Sequence, residues 1–146
     1  MRALVQRVQS ARVTVGPDTS GEIGRGFCVL LGVAGTDTDD DARRLARRVA
    51  NLRIFENEQG KLDRSLLDIG GAALVVSQFT LIADTRKGNR PSFVAAAPQD
   101  RARVLYAEFC DQLRLDGVAD VQTGDFGARM LVEIANDGPV TILLEA

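Results

Sequence analysis

Ala72-Ala73-Leu74-Val75-Val76 runs without a break into Ser77-Gln78-Phe79-Thr80. The apolar run has no polar face, a pattern that suits a central strand buried on both sides. It then changes abruptly to two hydroxyls and an amide, which delivers polar groups to the rim of the core. Open sheets bind ligands at strand ends, so Ser77, Gln78 and Thr80 are the first candidates for chemistry. All three can donate and accept hydrogen bonds. The blander reading is a strand end whose polar groups satisfy local backbone.

The remaining elements are placed around that strand. Towards the N-terminus, Ala3 to Val15 alternates in part and reads as a strand. Gly16-Pro17-Asp18 is turn chemistry. Glu22 to Val33 reads as a second strand, so the two form an expected hairpin. Thr36 to Asp41 opens a helix, with Thr38 and Asp41 resembling a capping box. Ala42, Leu45, Val49 and Leu52 then fall at helical spacing, and Arg43, Arg44, Arg47 and Arg48 take the other face. Asn51 to Phe55 reads as a short strand and Asn57 to Gly60 as a turn. Towards the C-terminus, Asp84 to Arg90 is a polar loop. Pro98 and Asp100 open a second helix with the stripe Ala102, Leu105, Phe109, Leu113, ending near Gly117. Strands follow near Ala119–Thr123, Met130–Ala135 and Val140–Leu144, with Asn136-Asp137-Gly138-Pro139 separating the last two. No linker or repeat interrupts the chain, so residues 1–146 are expected to be one compact α/β domain. Strands cluster at both ends with helices between, which does not indicate a doubly wound sheet.

Composition removes several chemistries. The 146 residues carry 18 Lys plus Arg against 20 Asp plus Glu, a net charge of −2 that excludes a globally basic nucleic-acid wrapper but not a local basic patch. His is 0, which removes a Ser-His-Asp triad, a Cys-His pair and imidazole metal sites. With 2 Cys, no four-thiolate zinc site forms within one chain, and neither Cys28 nor Cys110 has a His to make it a thiolate. No metal and no cofactor is expected. Trp is 0 and Tyr is 1, which argues against a broad aromatic base-stacking platform. No signal peptide or membrane-spanning run is legible, so the chain reads as cytoplasmic.

Three further segments compete with the strand end for function. Asp84-Thr85-Arg86-Lys87-Gly88-Asn89-Arg90-Pro91-Ser92 carries three cations in five residues and suits a phosphate-gripping loop, although GxxxxGK[ST] is absent. The alternative is a solvated loop. Asn136-Asp137-Gly138-Pro139 reads as an ordinary turn, and Pro139 is awkward at the start of a returning strand. The Arg43, Arg44, Arg47, Arg48 face reads as solvated, with a helper role towards a polyanion as the sharper alternative.

Taken together, Ser77-Gln78-Phe79-Thr80-Leu81, Ala83 to Phe93, and Asn136-Asp137-Gly138-Pro139-Val140-Thr141 resemble the D-aminoacyl-tRNA deacylase family, as does the opening Met1 to Val8. The resemblance runs through the chain in order, and the stretch from about Ala34 to Asp68 is less diagnostic. It implies a β-barrel-like α/β domain with two main helices. It implies a homodimeric hydrolase that cleaves the ester between a D-amino acid and the 3′-terminal adenosine of tRNA, and that also acts on glycyl-tRNA mischarged on the alanine tRNA. Ser77, Gln78 and Thr80 would be catalytic and Phe79 would bind substrate. Gly138 and Pro139 would reach into the partner subunit's pocket as a Gly-cisPro element that rejects L-amino acids. Arg86, Lys87 and Arg90 would hold acceptor-stem phosphates.

With no His, no ordinary general base works near neutral pH. An aminoacyl ester is already labile and has a neighbouring ribose 2′-OH. The favoured mechanism is therefore a pocket that positions ester, water and 2′-OH, with backbone N–H groups and Thr80 steadying the oxyanion. Thr80 as a covalent nucleophile is the second mechanism. Two other classes stay open: a tRNA-binding module without catalysis, and a small-molecule esterase or amidase acting on D-amino acid derivatives.

Overall fold

One long strand organises the sheet of this computed structural model, which describes residues 1–146. Strand β1 (Arg2–Val15) pairs antiparallel along one edge with β2 (Asp18–Ile23) in its second half and β3 (Gly26–Gly32) in its first. The other edge of β1 takes β8 (Leu131–Glu145) along almost its whole length. On the far side of β3, β6 (Ala72–Ser77) and then β7 (Asp120–Thr123) add in parallel. The sheet then curls until β2 meets β7: Ser20 donates to the Thr123 carbonyl at 3.4 Å, and a Cβ at Gly21 would lie 2.6 Å from that oxygen. The result is a nearly closed, barrel-like mixed sheet with two helices against one face, the expected α/β domain.

Strand β6 is buried on both faces, as its composition predicts. Ala73 and Val75 point into the larger core cluster with Val5, Phe27, Val29 and the helices. Leu74 and Val76 point into a second cluster with Val8, Val13, Ile23 and Cys28. Helix α1 (Asp39–Ala50) begins at a capping box in which Thr38 and Asp41 satisfy each other's backbone N–H, and it buries Ala42, Leu45, Ala46 and Val49. Helix α2 (Gln99–Leu115) buries Leu105, Phe109 and Leu113 as expected, together with Tyr106 and Cys110. Neither helix is long and apolar enough to cross a membrane.

Three local expectations are corrected. The strand expected over Glu22–Val33 is broken at Gly24-Arg25, where the chain bends so that β2 can leave towards β7. Gly26 then lies so close to β6 that a Cβ would fall 1.8 Å from the Ala72 carbonyl oxygen, a contact only glycine permits. Between Asn51 and Phe55 only Phe55 is in a strand, the short β4 (Phe55–Glu56), which pairs with β5 (Leu62–Arg64). Asn57 holds the intervening turn by accepting from the N–H groups of Gln59 and Lys61 at 2.9 and 3.0 Å.

The third correction concerns Asn136-Asp137-Gly138-Pro139, which does not separate two strands. β8 is one strand that keeps its direction, and the segment bulges out of it. Gln6 pairs with Thr141 and Val8 with Asn136, so Arg7 alone faces the four residues Asp137 to Val140. The bulge lets Pro139 sit in a strand without removing a ladder hydrogen bond. The Gly138-Pro139 peptide is cis.

Candidate active site

β6 ends at Ser77 because the chain turns there into a single 3-10 turn, Phe79–Ile82. The Gln78 N–H still donates to the Leu31 carbonyl at 2.8 Å, so the exit of the strand stays fixed to β3. The N–H groups of Phe79 and Thr80 open the 3-10 turn and take no backbone acceptor. The Gln78 side-chain amide donates to the Thr80 hydroxyl. One short segment thus concentrates two free backbone donors, two hydroxyls and a carboxamide.

Ser77, Gln78 and Phe79 line a cleft of about 550 Å³. Val76 also lines it, with Met130 and Val132 at the start of β8. The far wall is Ala97 and Gln99 at the start of α2 with Phe126-Gly127-Ala128 after β7. Thr80 is exposed and does not itself line the cleft; it follows Phe79 in the chain and its hydroxyl accepts from Gln78, which does. No lining residue is titratable. The cleft therefore supplies hydrogen-bond donors, acceptors and apolar walls, and any proton acceptor has to come from water or the ligand.

The wall at Phe126 is itself held from two sides. Tyr106 meets it edge-on at 5.5 Å, and the Arg103 guanidinium lies 4.6 Å from its ring centroid. The Tyr106 hydroxyl donates to the Val75 carbonyl at 2.7 Å, tying α2 to the strand that carries the site. Burial pushes that hydroxyl's pKa above its ordinary value, so it stays a donor. This wall was not among the expected site residues. Its only sequence signal is the Gly-flanked Phe126 between two strands.

The expected residues do not all converge within one chain. Gly138 and Pro139 are exposed on the β8 bulge and do not line the cleft. They lie level with Arg7, Phe27 and Ala73, whereas Ser77 lies level with Leu31 and Ala3. That offset is four residues, or about 13 Å along the strands at ~3.3 Å each, and three strands across. Beneath the bulge sits Arg7, only 6% exposed. It donates to the Ile54 carbonyl at 2.8 Å and the Asp137 carbonyl at 3.2 Å, and its Nε is 3.6 Å from the Asp137 carboxylate. Arg7 shares the inward side of β1 with Ala3 and Val5, so a charge at an inward strand position was the available signal.

The basic loop is closed at its base by two backbone bonds between Asp84 and Ser92, at 2.8 and 2.9 Å. Arg86 folds back onto Asp84 at 2.7 and 2.9 Å, which holds that carboxyl well below the usual carboxylate range. Lys87 and Arg90 are exposed and enter no salt bridge. On α1, Arg43 pairs with Glu108 and Asp40, Arg44 pairs with Asp41, and Arg48 donates to the Glu145 carbonyl. Most of that arginine face is therefore engaged within the chain. Cys28 and Cys110 are buried, and burial pushes both thiols up to about 12.

Comparison with known proteins gives a consistent picture. The family model for D-Tyr-tRNA(Tyr) deacylase matches residues 4–145. The chain is 59% identical to a D-aminoacyl-tRNA deacylase of Roseiflexus sp. (strain RS-1), over 100% of this chain and 94% of that protein. It is 56% identical to one of Thermus aquaticus, over 100% and 95%. A solved structure of "c-Myc DNA Unwinding Element Binding Protein" superposes with a TM-score of 0.94 at 47% identity, covering 100% of this chain and 99% of the other. A second, described as "a probable eukaryotic D-amino acid tRNA deacylase", reaches 0.87 at 20% identity over 99% and 98%, a likeness of fold. The chain with this strand-end cleft belongs to the D-Tyr-tRNA(Tyr) deacylase family.

Proposed function

We propose that this chain is a D-aminoacyl-tRNA deacylase, a hydrolase that releases a D-amino acid and free tRNA from their ester. Family membership along the whole chain supports the activity. One observation carries the mechanism: the cleft has no titratable lining residue, while the lining residue Phe79 and its neighbour Thr80 offer unpaired N–H groups. The N–H pair and the Thr80 hydroxyl suit a developing oxyanion. Water attacks the ester carbonyl, the bond to the ribose 3′-oxygen breaks, and the proton passes through the neighbouring 2′-OH to that oxygen. Ser77 and Gln78 orient the aminoacyl group, and Phe79 borders the terminal adenosine. Thr80 as a covalent nucleophile is not favoured, because no base contacts its hydroxyl; its partner is an amide donor.

Chirality is assigned to the bulge. Gly138 and Pro139 project from β8 on a buried arginine and do not line their own cleft. In a homodimer they enter the partner subunit's cleft and place main-chain atoms beside the α-carbon. An L side chain collides there, whereas D-aminoacyl and glycyl groups fit, which extends the activity to glycyl-tRNA mischarged on the alanine tRNA. Such substrates place the enzyme in the cytoplasm. Lys87 and Arg90, with Arg86 shared with Asp84, contact acceptor-stem phosphates.

The test is hydrolysis of a matched pair, D- and L-phenylalanyl-tRNA. The D ester is cleaved and the L ester survives. Binding of both with cleavage of neither overturns the enzyme reading in favour of a tRNA-binding module. Equal cleavage of both overturns the assignment of Gly138 and Pro139.

A further inference from the structure

Phe79 borders the cleft but is 58% exposed, an unusual state for a phenylalanine at the exit of a core strand. Its other side meets Phe93 edge-on, with ring centroids 5.0 Å apart and planes at 66°. Phe93 does not line the cleft. Next to it Val94 is 93% exposed. Phe93 directly follows the Asp84–Ser92 closure, so the loop bearing Lys87 and Arg90 springs from the same point. The surface thus passes in order from the cleft to Phe79, to Phe93 and Val94, and then to two unpaired cations.

We infer that Phe93 and Val94, beside Phe79, form a stacking step for the single-stranded nucleotides that precede the terminal adenosine, leading to the acceptor-stem phosphates held by Lys87 and Arg90. The inference rests on the proposed deacylase reading and adds where the RNA leaves the cleft. Aromatic faces combined with unpaired cations are what binds single-stranded nucleic acid without regard to sequence. An apolar patch beside two free cations is complementary to a stacked, anionic strand. The pair is small, consistent with a chain that holds 6 Phe, 1 Tyr and no Trp: it serves one or two bases.

The experiment compares two substrates, D-phenylalanyl-tRNA and the minimal ester 3′-(D-phenylalanyl)adenosine, which lacks every nucleotide before the last. Phe93→Ala raises KM for the tRNA about tenfold, the effect of one lost base–aromatic stack. Its KM for the minimal ester moves less than twofold. Phe93→Trp restores tRNA affinity, and Val94→Asp raises KM for the tRNA alone by placing an anion beside the phosphates. An equal change on both substrates overturns the inference, because Phe93 then only supports Phe79. An unchanged tRNA KM overturns it too. A weakened dimer, seen by sedimentation of Phe93→Ala, reassigns the patch to a subunit contact. If wild-type protein cleaves neither ester, the deacylase reading itself fails, a result distinct from all of these.

Discussion

Replacing Arg7 by Ala tests whether a buried guanidinium holds the β8 bulge. Two carbonyl oxygens, of Ile54 and Asp137, lose their charged donor, at 2.8 and 3.2 Å respectively. An orphaned buried acceptor costs roughly 1–3 kcal/mol, in full at the buried Ile54 carbonyl and in part at the half-buried Asp137 carbonyl. The Asp137 side chain keeps 36% of its surface exposed and rehydrates, so its 3.6 Å ion pair adds little. The lost packing of the buried Arg7 side chain adds to the two orphaned carbonyls. A total of about 3–4 kcal/mol follows. At this chain length that lowers Tm by about 6–16 °C. Urea unfolding followed by circular dichroism measures the free energy, and a thermal scan the Tm. Arg12→Ala is the control: its pair with Glu22 is exposed, and its Tm stays near wild type. Arg7→Lys falls between, because an ammonium cannot span both carbonyls with the planar fork. The functional signature is separate: hydrolysis of the L ester rises relative to the D ester as the bulge loses its position. An Arg7→Ala protein within about 0.5 kcal/mol of wild type refutes the reasoning, since such a value is that of an ordinary surface change.

Other outcomes are equally specific. Thr80→Ala lowers kcat by about 10–100-fold with a smaller change in KM, and Thr80→Ser recovers most of it; a silent Thr80→Ala removes that hydroxyl from the transition state. Alanine at Lys87 and Arg90 together reduces the salt slope of tRNA binding by about two, near one per phosphate contact, whereas Arg86→Ala changes it less because Asp84 already holds that charge. Cys28 and Cys110 stay unmodified by iodoacetamide at pH 8 in the native protein and react in denaturant, as mass spectrometry reads directly. Their thiols have folded pKa values pushed up to about 12 from an ordinary 9.0, so above pH 9 the unfolded chain loses protons that the folded one keeps. Stability therefore falls as pH rises from 9 towards 12, and the double Cys→Ala variant shows a shallower fall.

Local chemistry was legible wherever one segment carried its own reason. Thr38 and Asp41 cap α1 because each satisfies the other's backbone within three residues. Ala72 to Val76 is a central strand because nothing in it can face water. The cleft followed in part: Ser77, Gln78 and Phe79 line it, since a polar stretch that ends a buried strand has to emerge at a rim. What failed were readings that depend on a distant neighbour. Gly24-Arg25 breaks a strand because β2 must reach β7, and nothing local to Glu22–Val33 says so. Asn136 to Pro139 has the composition of a turn, yet β1 holds both flanks in one strand and forces a bulge instead.

The sequence by itself determined both helices and the central strand, the absence of a histidine-based mechanism and the family likeness, because side-chain type, spacing and composition act within a few residues or over the whole chain at once. Only the tertiary structure decided that Phe126 and Ser77 line one cleft and that Arg7 stands under Gly138. Each of those is a contact between segments whose meeting is set by strand order and register. A hydrogen bond or a packing contact is worth something only within a few ångströms, and the pairing of β1 with β8 and of β6 with β7 is what brings those atoms within reach.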